Sequence, residues 1–255
     1  MSHWYSHTGQ AAHTVLAKNG TPRSTTLADA RKQNLLPSVT TVIKSTLAAP
    51  QLEQWKVTQA IHAALTLPEI PGESLEDRVR RVREDSEAQA KTAAAHGSAV
   101  HDAFCRYLHG QDVAPEFAHN VEALQAQIDS GFGLMLGPVR TVWSEKTLVG
   151  DGYAGTADWL IETSQGLAVV DFKGQDVKDG KPSVRQEYWI QLAAYAAATG
   201  LVINLVGTIV FDRKSGAMYP EFRTLKEIEN ETAIWWNLLD TWQRLKNYKP
   251  VLRAA

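Results

Sequence analysis

The chain has 255 residues, with 26 Lys and Arg against 28 Asp and Glu, a net charge of −2 and a pI near 6.4. That length suits one large core, its ordinary apolar fraction of 44% excludes a disordered chain, and the near-neutral charge excludes a module drawn to nucleic acid by a global basic field. One cysteine, Cys105, excludes an intramolecular disulfide framework, and no apolar run approaches the roughly 20 residues that span a bilayer.

The opening Met1-Ser2-His3-Trp4-Tyr5-Ser6-His7 lacks a basic n-region and an apolar h-region, and residues 1–35 carry only Arg23 and Arg31. Neither a secretory signal nor a mitochondrial transit peptide is expected, so the expected location is cytoplasmic. Residues 1–35 are polar, without a sustained period, and read as a flexible arm in which His3, His7 and His13 are solvated. From 36 to 43 a β-branched stretch follows, and Pro50 opens a helix carrying Leu52, Trp55 and Ile61. The hydroxyls of Ser38 and Thr40 suit either substrate contact or simple capping.

Pro68, Pro71 and Gly72 break the chain, and Ser74 with Asp77 caps a new helix. Its Arg78, Arg80, Arg81 and Arg83 alternate with acids, the pattern of a solvated, ion-paired face rather than of a phosphate-binding one. A further helix, expected from about Ala93, bears Gly97 and His101 on one face, with Phe104, Cys105 and Leu108 at helical spacing after them. By pattern alone His101 is a core or boundary histidine and Cys105 a small buried residue. Residues 115–135 read as a helix closed by Gly137-Pro138, and residues 139–149 as a strand with Glu145 near its middle, next to Lys146.

Asp151-Gly152 is a hairpin signal. It leads into an apolar run over 153–161 containing Gly155-Thr156-Ala157-Asp158, then a turn at Thr163-Ser164-Gln165-Gly166, then a second run over 167–172 ending in Val170-Asp171-Phe172-Lys173. Strand alternation puts Asp171 and Lys173 on one face and Phe172 on the other, in packing. Two carboxylates and an ammonium aimed at one point suit a hard divalent cation and a phosphate ester. An isolated D-x-K is more often an exposed ion pair, whose lysine is removed without harm to folding. A flexible loop over 174–182 precedes a helix over 183–198, where Gln191 and Tyr195 stand four apart on one face among alanines. Strands over 205–211 and 219–222 follow, and a last helix over 225–248 repeats Ile228, Thr232, Trp235, Leu238, Leu239 and Trp242 near one face with Trp236 off it, as a core stripe does.

In this order, G-x-x-x-H at Gly97–His101, the acid Glu145, G-x-x-D at Gly155–Asp158, D-x-K at Asp171–Lys173 and Q-x-x-x-Y at Gln191–Tyr195, the chain resembles the PD-(D/E)xK nuclease superfamily in its RecB-like exonuclease branch. The stretch Leu36-Pro37-Ser38-Val39-Thr40-Thr41-Val42-Ile43 with Leu52 to Trp55 is similar to the entry segment of mitochondrial genome maintenance exonucleases and their phage and bacterial relatives. Gly174 departs from the pattern, since many relatives carry Thr or Ser after the lysine.

The resemblance implies an α/β fold: a restriction-endonuclease-like three-layer core, with a central mixed β-sheet flanked by helices and extra N-terminal helices. Domain bounds follow as an arm over 1–35 and one nuclease domain over 36–255, composed of an elaboration (36–92), a catalytic core (93–222) and a C-terminal helix (223–255). It implies a Mg²⁺- or Mn²⁺-dependent DNA exonuclease hydrolysing phosphodiester bonds from single-stranded or free ends. The setting would be DNA repair, recombination or phage DNA processing in a bacterial or phage-infected cell, with recombination or replication proteins as partners and no membrane. Catalytic roles fall on Asp158, Asp171, Lys173, Gln191 and Tyr195, and the metal set on His101, Glu145, Asp158, Asp171 and Phe172. One cysteine cannot hold the four-cysteine iron–sulfur cluster of some RecB-like relatives. Two alternatives remain: a catalytically silent nucleic-acid-binding or assembly module of the same fold, and an unrelated Mg²⁺-dependent phosphohydrolase.

Overall fold

The computed structural model describes residues 2–48 and 50–251. Met1, Ala49 and residues 252–255, the end of the expected C-terminal segment, lie outside the described residues, as do the side chains of residues 50–52, 89–90 and 93–94, among them Pro50, Leu52 and Ala93. The elements are β1 (Trp4–Tyr5), β2 (Thr14–Leu16), β3 (Pro22–Ser24), α1 (Leu27–Gln33), β4 (Leu36–Pro37), α2 (Val39–Thr46), α3 (Pro50–Thr66), α4 (Leu75–Leu108) and a 3-10 turn (Pro115–Phe117). There follow α5 (Ala118–Asp129), β5 (Arg140–Gly150), β6 (Tyr153–Thr163), β7 (Gly166–Gln175), α6 (Gln186–Ala198), β8 (Ile203–Asp212), β9 (Met218–Thr224) and α7 (Glu229–Leu245). They form two compact units, residues 1–47 with 103–255, and residues 48–102.

The first unit is built on a five-stranded mixed sheet in the order β5-β6-β7-β8-β9. Strands β5, β6 and β7 form an antiparallel meander; β8 runs parallel to β7 through the crossover helix α6, and β9 returns antiparallel. The β5–β6 turn depends on Gly152, whose φ of 81° a side chain would disfavour. Helices cover both faces. On one lie α2, α6 and α7, whose Trp189, Trp235, Leu239 and Trp242 are buried with Tyr153 of β6. On the other, Phe104 at the end of α4 meets Phe172 at 4.8 Å and Phe211 at 5.5 Å, and Phe132 meets Phe222 at 5.1 Å. The mixed α/β layering thus matches the expected fold class, and Trp236, the tryptophan off the stripe, is 41% exposed.

Three local expectations change. Residues 75–108 form one helix of 34 residues instead of two, because no proline interrupts them and Gly97 is tolerated inside the helix. The helix after Pro115 stops at Asp129, where Gly131, Phe132, Gly133 and Leu134 all take positive φ and turn Phe132 into the aromatic layer. The first 35 residues, read as a loose arm, have a fixed course: Trp4 and Tyr5 are 2% and 6% exposed, and β1 pairs with β4 through Trp4↔Pro37 and Tyr5↔Leu36. Tyr248 Oη beyond α7 donates to the carbonyls of Ala30 and Leu35 at 3.0 and 2.7 Å, and Asn34 exchanges hydrogen bonds with the backbone of Val251.

The second unit holds α3 and most of α4, and α4 carries the arginine cluster. Arg78 pairs with Glu69, Arg80 with Asp77, Arg81 with Glu73 and Arg83 with Glu87, which is the ion-paired face the alternation of charge suggests. Among the described residues no helix is long and apolar enough to cross a membrane.

Candidate active site

The β6–β7 ladder ends at Trp159↔Val170, and the next position on the two strands is Asp158 and Asp171. Strand β7 continues alone against β8 as far as Gln175↔Asp212. Where β6 stops pairing, the backbone N–H of Phe172 turns to a side chain instead and donates to Asp158 Oδ2 at 2.8 Å. This satisfies a backbone donor that the lost strand partner would otherwise leave open. Phe172 itself points into the aromatic layer, stacked on Trp159 at 5.9 Å, so its neighbours Asp171 and Lys173 point the other way, toward α6.

Asp171 is almost fully buried and Lys173 mostly so, with side-chain exposures of 3% and 20% and a separation of 2.6 Å between Oδ2 and Nζ. The pair is therefore not the exposed one that an isolated D-x-K suggests. Gln191 ties it to α6. Its Nε2 donates to Asp171 Oδ1 at 2.9 Å and to Tyr195 Oη at 3.1 Å, while its Oε1 accepts from Lys173 Nζ at 3.0 Å. Asp171 Oδ2 is buried and makes no hydrogen bond of good geometry, its ion-pair contact with Lys173 notwithstanding. Thr208, beside Asp171 in the β7–β8 register, likewise has a buried and unbonded hydroxyl.

The charges act as one group. Burial alone would lower the Lys173 ammonium from 10.5, but the charges of Asp171 and Asp158 and the contact with Asp171 outweigh it and hold it above that value. Burial, reinforced by the same two carboxylates, pushes the Tyr195 hydroxyl well above 10, so it stays a neutral hydrogen-bonding group. Gly155 leaves room for that ring: a Cβ there would lie 2.8 Å from Tyr195 Cε1 and 3.4 Å from Val39. Ser38 caps α2 by accepting from Thr41 N–H, the capping role allowed for it, and Tyr5 Oη lies 3.2 Å from Thr156 Oγ1 in the G-T-A-D segment.

Of the residues singled out in the sequence, Asp158, Asp171, Lys173, Gln191 and Tyr195 come together. Glu145 lies on β5 opposite Asp158 in the β5–β6 register, is exposed, and takes a φ of 46°, unusual for a non-glycine residue in a strand. His101 is on α4 within the second unit. Among the described residues no three His, Cys, Asp or Glu side chains gather as a metal-ligating group. Asp158 and Asp171 are nevertheless hard oxygen donors adjacent in the sheet, and Asp171 Oδ2 lacks a well-aligned donor. A cation that keeps several waters and takes one or two protein carboxylates fits such a pair.

One residue of this cluster escapes the sequence patterns. Tyr188, one turn before Gln191 on α6, is 6% exposed and has its ring 5.1 Å from Lys173 Nζ. The i, i+3, i+7 spacing of Tyr188, Gln191 and Tyr195 is the signal that would have found it.

No protein-family model matches the sequence, and no curated protein does. Among solved structures, an alkaline exonuclease, LHK-Exo from Laribacter hongkongensis, is similar at 16% identity with a TM-score of 0.31, over 76% of this chain and 96% of that one. The same exonuclease in complex with dAMP gives 16% and 0.29 over the same shares. A protein named SSO0001 gives 14% and 0.27 over 78% and 89%. These are distant likenesses.

Proposed function

We propose that the chain is a PD-(D/E)xK nuclease of the RecB-like exonuclease branch, a divalent-metal-dependent deoxyribonuclease that hydrolyses phosphodiester bonds at DNA ends. The observation that carries this reading is the continuous cluster Asp158, Asp171–Lys173, Gln191–Tyr195. It combines two adjacent carboxylates with a buried ammonium, and the motif order in the sequence supports the same reading. Asp158 and Asp171 would hold a Mg²⁺ or Mn²⁺ ion, which when bound would neutralise charge on the phosphate and acidify water.

The chain's own groups do the rest. Lys173, which faces Asp171 and Gln191 with two of its three N–H groups, directs the third at the phosphate, where negative charge accumulates as water forms one P–O bond and the bond to the departing sugar oxygen breaks, the proton of the water passing through solvent to that oxygen. Gln191 holds that ammonium in line with Asp171, and the neutral Tyr195 hydroxyl fixes Gln191 in turn. Glu145, opposite Asp158, is a further metal-site residue in this reading, together with the backbone at Phe172; the role of His101, in the second unit, rests on the motif order in the sequence alone.

Cleavage of end-labelled single- and double-stranded oligonucleotides, with Mg²⁺, Mn²⁺ or EDTA and with Asp158→Asn alongside, tests it. A metal-dependent ladder that the variant loses is expected. Intact oligonucleotides with binding retained would replace the reading by a silent module of the same fold. Turnover confined to small phosphate esters would replace it by another phosphohydrolase.

A further inference from the structure

Lys173 carries four rotatable side-chain bonds and a compact charge, so a fixed direction for its ammonium has to be imposed by neighbours. Two of them, Asp171 and Gln191, are part of the site already described. The third is the ring of Tyr188, with Nζ 5.1 Å from its centroid, inside the range of a cation–π contact. The ring is itself held. Its hydroxyl accepts from Arg185 Nε at 3.0 Å and Nη2 at 2.7 Å and lies 3.3 Å from Gln175 Nε2. Gln175 in turn exchanges hydrogen bonds with the backbone of Ser183 at both ends of its amide, which ties the end of β7 to the start of α6. An aromatic hydroxyl with this many donors around it cannot swing away without stranding them.

We propose that Tyr188 is a positioning residue for the reaction. Its ring face holds the Lys173 ammonium against Asp171 and Gln191, while Arg185 and Gln175 lock the ring through its hydroxyl. This rests on the nuclease reading only for its consequence in catalysis; the hold on Lys173 is a property of the fold. Tyr188 touches no reacting atom and acts through the lysine, so its loss lowers the turnover step and leaves substrate affinity in place. A phenyl ring keeps the face, and an aliphatic side chain of similar bulk does not.

The test compares Tyr188→Phe and Tyr188→Leu with the parent in two measurements. In cleavage of a labelled oligonucleotide, Leu is expected to lower kcat about tenfold, equivalent to about 1.4 kcal/mol, at unchanged KM, and Phe to stay within about threefold. In the metal-free protein, reductive methylation of Lys173 followed by peptide mass spectrometry is expected to run at least threefold faster in Leu than in the parent, with Phe, which keeps the ring face and loses the lock on it, in between. Equal rates in all three proteins, or equal gains for Phe and Leu, overturn the proposal. If Tyr188→Leu does not fold, Arg185→Gln decides: the side chain is 38% exposed, and removing its hold on the hydroxyl is expected to speed Lys173 labelling, with no change refuting the lock. A parent that cleaves nothing, but whose Leu variant still exposes Lys173, would sink the nuclease reading and leave the positioning role standing.

Discussion

Replacing Lys173 by Met keeps most of the side-chain length and removes the charge. Asp171, at 3% exposure, is then left as a buried carboxylate with the Gln191 amide as its donor. Removing one partner of a fully buried pair costs about 3–5 kcal/mol, whereas an exposed pair contributes about 0–1 kcal/mol. With the lysine one-fifth exposed, the value expected here is about 2–3 kcal/mol. Urea unfolding at pH 7 in EDTA reads this directly. At a slope of about 2–3 kcal/mol per molar, the midpoint moves down by about 1 M. Asp171→Asn in the same chain removes the stranded charge, so the double variant should recover at least about 1 kcal/mol over Lys173→Met alone. A Lys173→Met midpoint within about 0.2 M of the parent, or a double variant less stable than Lys173→Met, would refute the buried-pair reasoning and restore the sequence-based view of a lysine removed without harm.

Gly155→Ala places a methyl group against the Tyr195 ring edge and Val39. It should cost about 1–3 kcal/mol of stability and, by pushing Tyr195 away from Gln191, lower cleavage at least tenfold; parental melting and activity together would show that the ring has room to move. Phe104→Ala, which opens a gap beside Phe172 and Phe211, should lower stability by about 3–5 kcal/mol, measured by the same urea titration. At high pH the signs agree for two groups. Tyr195 and Lys173 both hold their protons more tightly folded than unfolded, so their contribution is intact below pH 10 and 10.5 respectively and is lost as pH rises beyond those values. Tyr195→Phe should flatten the decline above pH 10, and an unchanged slope in a pH-resolved melting series would count against the burial assigned to Tyr195.

The sheet and the site cluster were legible because their signals are local. Alternating runs broken by Asp151-Gly152 and by Ser164-Gln165 mark three strands, and the five residues brought together lie within 158–195, each in a short motif. Trp235, Trp242 and Trp236 sorted correctly between core and surface, since helical spacing alone separates them. What sequence spacing could not carry was long-range pairing. Trp4 and Tyr5 are two apolar residues in a polar stretch, and only β4, some thirty positions later, makes a strand of them. The continuous α4 reads in the sequence as two helices, one capped at Ser74 and one from about Ala93, because its charged first part and its apolar-spaced second part differ in pattern, yet no helix breaker lies between them. Tyr188 escaped notice because a large residue on an apolar helix face reads as core, and it is core as well as a support for Lys173.

The hydrogen bonds from Tyr248 to the carbonyls of Ala30 and Leu35, and between Asn34 and Val251, join stretches more than two hundred residues apart. On a translating ribosome, the segments 158–195 and the meander before them can assemble while α7 is still in the exit tunnel. The first forty residues, in contrast, wait for their last partners until the stretch around Tyr248 has emerged. The clasp on residues 30–35 therefore closes after the meander has formed, and the order of assembly runs from the middle of the chain outward to its first forty residues.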